Sequence, residues 1–227
     1  MMATFKYGAN FRVTGKADPQ SLSYPQAWQA TQGSFADLAG HIGQGHPWMP
    51  ALLDRGQRRE QPHSNHAEVL GLDIDSGLAI DQALNHPFIS AHCGLGIESA
   101  SSSPEHEKFR LIFKTVAPIG GWATIRICNR YLAHLVGSAD PACKDASRYF
   151  FGAPGRTPFL LNEAATLPAS FIEDALAWDA AEVARATAEA EEKRRRWAEY
   201  KAQNPSDSGD IVKDALSYIA PYNAMCN

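Results

Sequence analysis

The sequence predicts an α+β fold, because it contains both strand-like and helix-like segments. Residues 67–75 begin apolar and end in two carboxylates, and residues 108–114 are rich in aromatic and β-branched side chains, which are features of strands. Residues 121–136 carry apolar side chains at helical spacing. Residues 168–203, rich in Ala, Glu and Arg, favour a long helix.

Before the acidic strand, the chain is predicted to hold two helices and a polar loop. Residues 1–18 are too mixed to favour any element. Pro25 favours a helix start, because proline fits the first helical turn. A second helix is predicted from Ser34 and ends at the glycines 43 and 45. Residues 54–66 are polar and are predicted to form a loop.

After the acidic strand, short elements are separated by turn residues. Gly137 is well placed to cap the helix over 121–136. The other predictions, in chain order, are a helix over 78–86 closed by Pro87, a strand within 88–98, a loop over 99–107, a loop over 138–148 and a short strand formed by the apolar run at 149–151.

Composition and charge limit the classes of function. The 227 residues are 44% hydrophobic and 20% charged, which excludes a disordered or collagen-like chain. No run approaches the ~18 apolar residues of a membrane span, and no secretory signal is visible, so we expect no membrane partner. The four cysteines form no CxxC pair, and we expect free thiols in a cytoplasmic protein. The net charge of −4 argues against a surface coated in nucleic acid, but it permits a local basic channel.

Asp73 and Asp75 end the acidic strand on one face, because residues i and i+2 of a strand point the same way. Two such carboxylates repel each other unless a cation lies between them, and Mg²⁺ or Mn²⁺ prefers oxygen ligands. The alternative is a strand end with solvated aspartates. Asp140 or Asp145 could supply a third carboxylate; the alternative for them is turn formation, because Asp-Pro commonly starts a turn.

Lys108 and Arg110 share one face of their strand, and two cations there favour binding of an anion. His106 joins them if the strand extends back that far; the alternative is a solvent-facing sheet edge. Together these segments form the pattern that phosphoryl transfer requires: an acidic strand end, a cationic strand, and an acidic loop followed by Arg148. In that chemistry, two metal ions clamp the reacting oxygens while cations hold the triphosphate.

Two further basic segments are ambiguous. Arg55, Arg58 and Arg59 in the polar loop could contact phosphates, or they could be solvated surface residues. The run from Lys193 to Arg196 could contact a nucleic-acid backbone. The glutamates just before that run favour a salt-bridged exposed face instead.

These motifs resemble those of the archaeo-eukaryotic primase superfamily, more narrowly the primase-polymerases of phages, plasmids and bacterial mobile elements. The resemblance covers about residues 45–155 and follows the order Asp73–Ile74–Asp75, Lys108–Phe113 and Ala139–Asp140. The family's second motif reads Ser-x-His before three apolar residues. Here Arg110 takes the histidine position if Leu111–Phe113 is the apolar triplet, and His106 takes it in an alternative alignment.

The resemblance implies a catalytic core with an RRM-like antiparallel sheet, an N-terminal α/β portion and a long C-terminal helix. With the core placed at 1–167, composition predicts a helical extension over 168–203 and a linker over 204–209. Residues 210–227 resemble the start of the small helical domain that follows such cores in a longer protein. In the full-length protein, that helical domain and a helicase are expected partners.

The resemblance also implies a DNA primase or DNA-directed polymerase. Asp73, Asp75 and Asp140 would be the catalytic residues and would bind two Mg²⁺ or Mn²⁺ ions. The nucleotide-binding residues would be His106, Lys108, Arg110 and Arg148, and the substrates an NTP or dNTP, a primer and a single-stranded DNA template. Replacing Asp73 or Asp75 by Ala is then expected to abolish extension and leave the fold intact.

Other classes of function fit parts of the pattern. A metal-dependent nuclease also uses clustered carboxylates, but it needs no cationic strand to hold a triphosphate. A non-catalytic replication-initiation module that binds DNA would not depend on the aspartates. A sugar-nucleotide transferase with a DxD motif is the weakest match, because its nucleotide-binding α/β half is not visible.

Overall fold

The computed structural model of the protein describes residues 4–16 and 18–203. This part of the chain contains strands and helices in mixed order, as the α+β prediction requires. The strands are β1 Phe5–Ala9, β2 Gln29–Gly33, β3 Trp48–Met49, β4 Ala51–Leu53, β5 Ser64–Ile74, β6 Leu95–Glu98, β7 Phe109–Gly120 and β8 Pro158–Leu161. The α-helices are α1 Phe35–Gly43, α2 Ile80–Asn85, α3 Pro87–His92, α4 Trp122–Val136 and α5 Phe171–Gln203.

The strands form two antiparallel sheets. A three-stranded sheet has the order β2-β1-β3, and a five-stranded sheet has the order β4-β5-β7-β6-β8. The first sheet and α1 make up an N-terminal α/β portion, so this part of the predicted fold class is confirmed. Within the larger sheet, β5, β6 and β7 follow a β-α-β-β-α order with β7 between the other two, as in ferredoxin-like folds.

The centre of the larger sheet is built from β5 and β7, which also carry the acidic and the cationic motifs. Helix α4 contacts both strands, and α3 contacts α4. Most side chains of β5 are buried, which fits a strand covered on both faces. The register pairs Leu72 with Leu111 and Asp73 with Arg110. The two motifs therefore meet at one end of the central strand pair.

Local sequence signals set the ends of two helices as predicted. Ser34 caps α1, with its hydroxyl accepting from the Asp37 amide while the Asp37 carboxylate accepts from the Ser34 amide. Gly137 ends α4 with a φ of 84°, a left-handed conformation that glycine adopts without a steric penalty.

Three predicted elements differ in the structure. Pro25 starts only a short 3₁₀ helix that ends at Ala27. Pro87 closes α2 but also begins α3, so most of the strand predicted within 88–98 is helical and β6 starts at Leu95. Proline fits the first turn of a helix because it lacks the amide hydrogen that would be unpaired there. Phe150 makes a single bridge to Trp48 in place of a short strand.

The two sheets meet around stacked aromatic rings. The rings of Trp48 and Phe150 lie 5.0 Å apart at an interplanar angle of 22°. They pack on Gly71 of β5, where a Cβ atom would lie 2.9 Å from the Phe150 ring. Only glycine fits at this position without displacing the rings, so Gly71 allows the segment around Phe150 to approach the central strands.

Two compact units divide the chain within α5, Met1–Ala177 and Trp178–Asn227. In the first unit, Phe171 and Ala175 are buried in the core, so the start of α5 contributes to that core. The described part of the second unit, residues 178–203, is helical and mostly exposed. The predicted linker (204–209) and the predicted further helical domain (210–227) lie outside the described residues. No helix in the described ranges is both long enough and apolar enough to cross a membrane.

Candidate active site

Asp73 is the least exposed of the three candidate carboxylates, with 15% of its side chain exposed. It lies in β5 directly opposite Arg110 of β7. The Arg110 Nε donates to Asp73 Oδ1 over 2.8 Å, and Arg110 Nη1 donates to the carbonyl of Phe151. Only 6% of Arg110 is exposed. The guanidinium is therefore held in one orientation by a charge-assisted hydrogen bond and a main-chain acceptor.

Asp140 reaches this site from the loop after α4. Its amide donates to the Asp73 carbonyl over 2.8 Å, which fastens the loop to the end of β5. In return, the Asp73 amide donates to Cys143 Sγ over 3.1 Å. Asp140 Oδ1 accepts from the Ala142 amide and caps the 3₁₀ helix Pro141–Lys144. The turn-forming role and the site role of Asp140 therefore coexist, one on each carboxylate oxygen.

Arg148 links the two carboxylates. Its Nη2 lies 3.2 Å from Asp73 Oδ2 and 3.1 Å from Asp140 Oδ2. Burial alone would lower the pKa of Arg148, but the charges of Asp73 and Asp140 raise it overall. The side chain is thus a permanent cation between two acids. Its Nε is buried and has no hydrogen-bond partner among the described atoms, so Arg148 has an unused donor.

Asp75 and Lys108 form a second, more exposed pair at the same edge. Asp75 follows the last residue of β5, and 53% of its side chain is exposed. The Lys108 Nζ lies 3.5 Å from Asp75 Oδ1. Solvent exposure therefore increases across the site, from the largely buried Asp73–Arg110 pair to the more exposed Asp75–Lys108 pair. Any incoming anion or cation would meet Asp75 and Lys108 on the solvent side.

His106 lies in a tight turn that precedes β7, which begins at Phe109. Ser103 and His106 exchange two backbone hydrogen bonds of 3.0 Å that close this turn. The strand does not extend back to His106, so the condition under which His106 would share a face with Lys108 and Arg110 is not met. His106 instead lines an open cavity of about 490 Å³ together with Asp75. Of the two residues considered for the family histidine, Arg110 is the one opposite Asp73.

Asp145, the other candidate for a third carboxylate, belongs to its own turn. Its Oδ1 accepts from both the amide and the hydroxyl of Ser147.

The basic run on α5 is salt-bridged, as the alternative interpretation favoured: Arg195 and Arg196 lie within 2.7 Å of Glu192.

The oxygen atoms that the site offers are of the chemical type that a hard divalent cation prefers. Asp73, Asp75 and Asp140 offer carboxylate oxygens, whereas burial raises the pKa of Cys143 to about 12 and keeps it a neutral thiol. Within residues 4–16 and 18–203, however, no group of three or more His, Cys, Asp or Glu side chains lies close enough together to hold a metal ion. The metal site stays a prediction, and the space between Asp73 and Asp140 holds the Arg148 Nη2 nitrogen.

Sequence reasoning missed three contributions to the site: the thiol of Cys143, the ring of Phe150 and the carbonyl of Phe151. The guanidinium carbons of both Arg110 and Arg148 lie 5.6 Å from the centre of the Phe150 ring. Such a ring attracts cations through its negative face. The apolar run after Arg148 was a signal for a buried segment, but its pairing partner Trp48 lies far earlier in the chain.

Comparisons with known proteins leave the family open. No family model and no curated protein matches the chain. Among solved structures, the chain is similar to the AEP domain of the cyanophage S-2L primase-polymerase, with a TM-score of 0.44 and 14% sequence identity. The match covers 76% of this chain and 89% of that one. A likeness this distant carries no weight for the function of the chain.

Proposed function

We propose that the protein is a nucleotidyltransferase that extends a DNA primer from NTP or dNTP, directed by a single-stranded template. One observation carries the proposal: Asp73 and Asp140, from distant parts of the chain, converge on one Arg148 nitrogen. Arg110 pairs with Asp73, and Lys108 pairs with Asp75 at the same edge of the sheet. Alternating acids and cations at one sheet edge are what transfer of a nucleotide from a triphosphate needs.

The proposed roles follow from burial and charge. Asp73, Asp75 and Asp140 would hold two Mg²⁺ or Mn²⁺ ions, which, when bound, supply charge neutralisation at the attacking and leaving oxygens. Arg148, with its unused Nε donor, is the best placed cation to turn from the carboxylates towards a phosphate group. Lys108 and His106 lie on the open side of the site and would bind the outer phosphates. Arg110 orients Asp73 from within the sheet.

The test is primer extension on a single-stranded template with each nucleotide set and Mg²⁺ or Mn²⁺. Asp75→Asn is the cleanest variant, because Asp75 is exposed and its loss leaves no buried charge. We expect extension to fall by roughly 10²-fold or more. Asp81→Asn, on the exposed side of α2, is the matched control and should extend normally. Equal extension by wild type and the Asp75 variant would contradict the proposal.

The alternative functions predict different results in the same primer-extension assay. A nuclease would shorten the labelled primer in the presence of metal, and it would have no need to bind a nucleoside triphosphate. A module that only binds DNA would neither extend nor degrade the primer.

Arg148 provides a second test, because its two proposed roles respond in opposite directions. Arg148→Gln removes the cation that neutralises Asp73 and Asp140, so Mn²⁺ should bind at least as tightly as in wild type. Nucleotide affinity should fall about tenfold, because a charge-assisted bond to phosphate is lost. Isothermal titration with Mn²⁺ alone, and then with dNTP, measures both. A joint loss of metal and nucleotide binding would mean that Arg148 is only a structural link.

A further inference from the structure

The outer side of the segment after Arg148 carries a second chemical pattern. In the extended segment 148–151, side chains alternate between two sides. Arg148 and Phe150 contact each other on the inner side, next to the catalytic carboxylates. Tyr149 and Phe151 contact each other on the opposite side, with ring centres 5.2 Å apart. One short stretch of backbone thus separates the candidate active site from a second surface.

Aromatic rings continue along that surface. The Trp28 ring lies 5.9 Å from the Tyr149 ring, and both residues are only partly buried. Tyr24, nearby in the chain, is 50% exposed. Ring faces that reach solvent can stack nucleobases without preference for sequence. Tyr24 is exposed, and Trp28, Tyr149 and Phe151 are partly exposed. We refer to these rings and the arginines beside them as the aromatic–arginine face; its members are Tyr24, Trp28, Tyr149, Phe151, Arg55 and Arg58.

The arginines come from the polar loop before β5. The Arg58 guanidinium lies over the Tyr24 ring at 5.4 Å, and both Arg55 and Arg58 are exposed. Arg59 is engaged differently, because it donates to the carbonyls of Leu22 and Ser147 and lies over Tyr149 at 4.5 Å. Arg59 therefore ties the loop to the rings, and it leaves Arg55 and Arg58 at the surface.

The acidic residues of the loop are already engaged. Asp54 Oδ2 accepts from Asn65, and Glu60 lies 4.0 Å from His63. A groove of about 210 Å³ is lined by Trp28, Asp54, Arg55 and, from the small sheet, Gly8, Ala30 and Met49. The combination of aromatic rings, exposed arginines and a groove beside them matches the chemistry of an unpaired nucleic-acid strand.

We infer that the aromatic–arginine face binds single-stranded DNA, with bases stacked on the rings and phosphates contacting Arg55 and Arg58. The binding itself does not depend on catalysis. The role of that strand as the template for the neighbouring site rests on the proposed function. The surface lies on the other side of the segment that holds Arg148, so a strand bound there would pass along the edge of the candidate active site.

The experiment measures the affinity of a labelled oligothymidylate by fluorescence anisotropy in EDTA, which keeps metal-dependent chemistry out of the measurement. For Arg55→Ala/Arg58→Ala, we expect binding at least tenfold weaker at moderate salt. The slope of log K against log salt should become shallower by about 1.4, from ~0.7 for each lost phosphate contact on a single strand. Tyr24→Ala should weaken binding about tenfold, whereas Tyr24→Phe, which keeps the ring, should not.

Matched controls separate this inference from its rivals. Arg194→Ala changes an exposed arginine of α5 and should leave affinity unchanged; a loss there, with none at Arg55 and Arg58, would overturn the inference. Equal affinity of Arg55→Ala/Arg58→Ala and wild type would also overturn it. Asp75→Asn should bind the oligonucleotide normally. If Asp75→Asn extends primers like wild type while the arginine variants lose DNA, the proposed function fails and the DNA-binding face stands.

Discussion

Replacing Asp73 should destabilise the protein far more than replacing Asp75, although both are proposed metal ligands. Asp73 is the main charge partner of Arg110, which is 6% exposed and which, among the described residues, also donates to the Phe151 carbonyl. Removing one member of a buried ion pair typically costs about 3–5 kcal/mol, because the other charge stays buried without compensation. Arg148 keeps Asp140 and is partly exposed, so we expect a loss of about 3 kcal/mol for Asp73→Ala.

Asp75 is half exposed and lies 3.5 Å from a Lys108 amine that is itself partly in solvent. Pairs of this kind contribute about 0–1 kcal/mol, so Asp75→Ala should cost no more than about 0.5 kcal/mol. The sequence-based expectation that either substitution leaves the fold intact therefore applies, by this reasoning, to Asp75 only. Loss of extension by an Asp73 variant can then reflect lost stability, whereas the same loss by an Asp75 variant cannot.

Urea unfolding followed by far-UV circular dichroism measures the difference. With a slope of about 2–3 kcal/mol per molar urea, Asp73→Ala should lower the midpoint by roughly 1–1.5 M. The double variant Asp73→Leu/Arg110→Met should recover much of that loss, because replacing both members of a buried pair is often neutral. Equal midpoints for Asp73→Ala and Asp75→Ala would refute the reasoning. So would a double variant no more stable than Asp73→Ala.

Three further predictions concern packing and titration. Gly71→Ala should cost about 1–3 kcal/mol in urea unfolding, because its Cβ would lie 2.9 Å from the Phe150 ring, whereas Gly120→Ala has open space and should cost little. Burial raises the pKa of Cys143 from 9.0 to about 12. The contribution of the neutral thiol to stability is therefore complete below pH 9 and is lost as the pH rises towards 12. An Ellman assay at pH 8 should detect the Cys143 thiol only after the protein unfolds. Burial lowers the pKa of His41 from 6.5, so the free energy of unfolding should fall as the pH drops below 6.5 towards that lowered value. His41→Gln should make this fall smaller in unfolding experiments between about pH 7 and 5. An unchanged dependence of the unfolding free energy on pH in the variant would contradict the prediction.

Local signals in the sequence predicted the elements on which the site depends. The apolar run before Asp73 and the aromatic run around Arg110 identify the two central strands, because each is long and strongly patterned. Their pairing in register could not be derived from either run alone. It follows from which residues meet across the sheet, and it places Asp73 opposite Arg110.

The elements that were predicted wrongly depend on context. Pro87 is compatible both with the end of one helix and with the start of the next, and only packing decides that both occur. Whether the alternating pattern of Lys108 and Arg110 continues to His106 was left open by the sequence, and the turn from Ser103 to His106 settles that it does not. The convergence of Asp140 with Asp73 was implied by a family resemblance. Without it, Asp140 and Asp145 were equivalent turn-forming residues in one loop.

The link between Asp73 and Asp140 joins main-chain atoms, from the amide of one to the carbonyl of the other. A hydrogen bond of this kind does not depend on the side chains at either position. Substitution of Asp140 therefore leaves this bond between loop and strand in place, although it removes the cap of the 3₁₀ helix Pro141–Lys144. Substitution of Asp73 also keeps the bond but leaves Arg110 without its charge partner, so evolution could exchange the two acids only at different costs to stability.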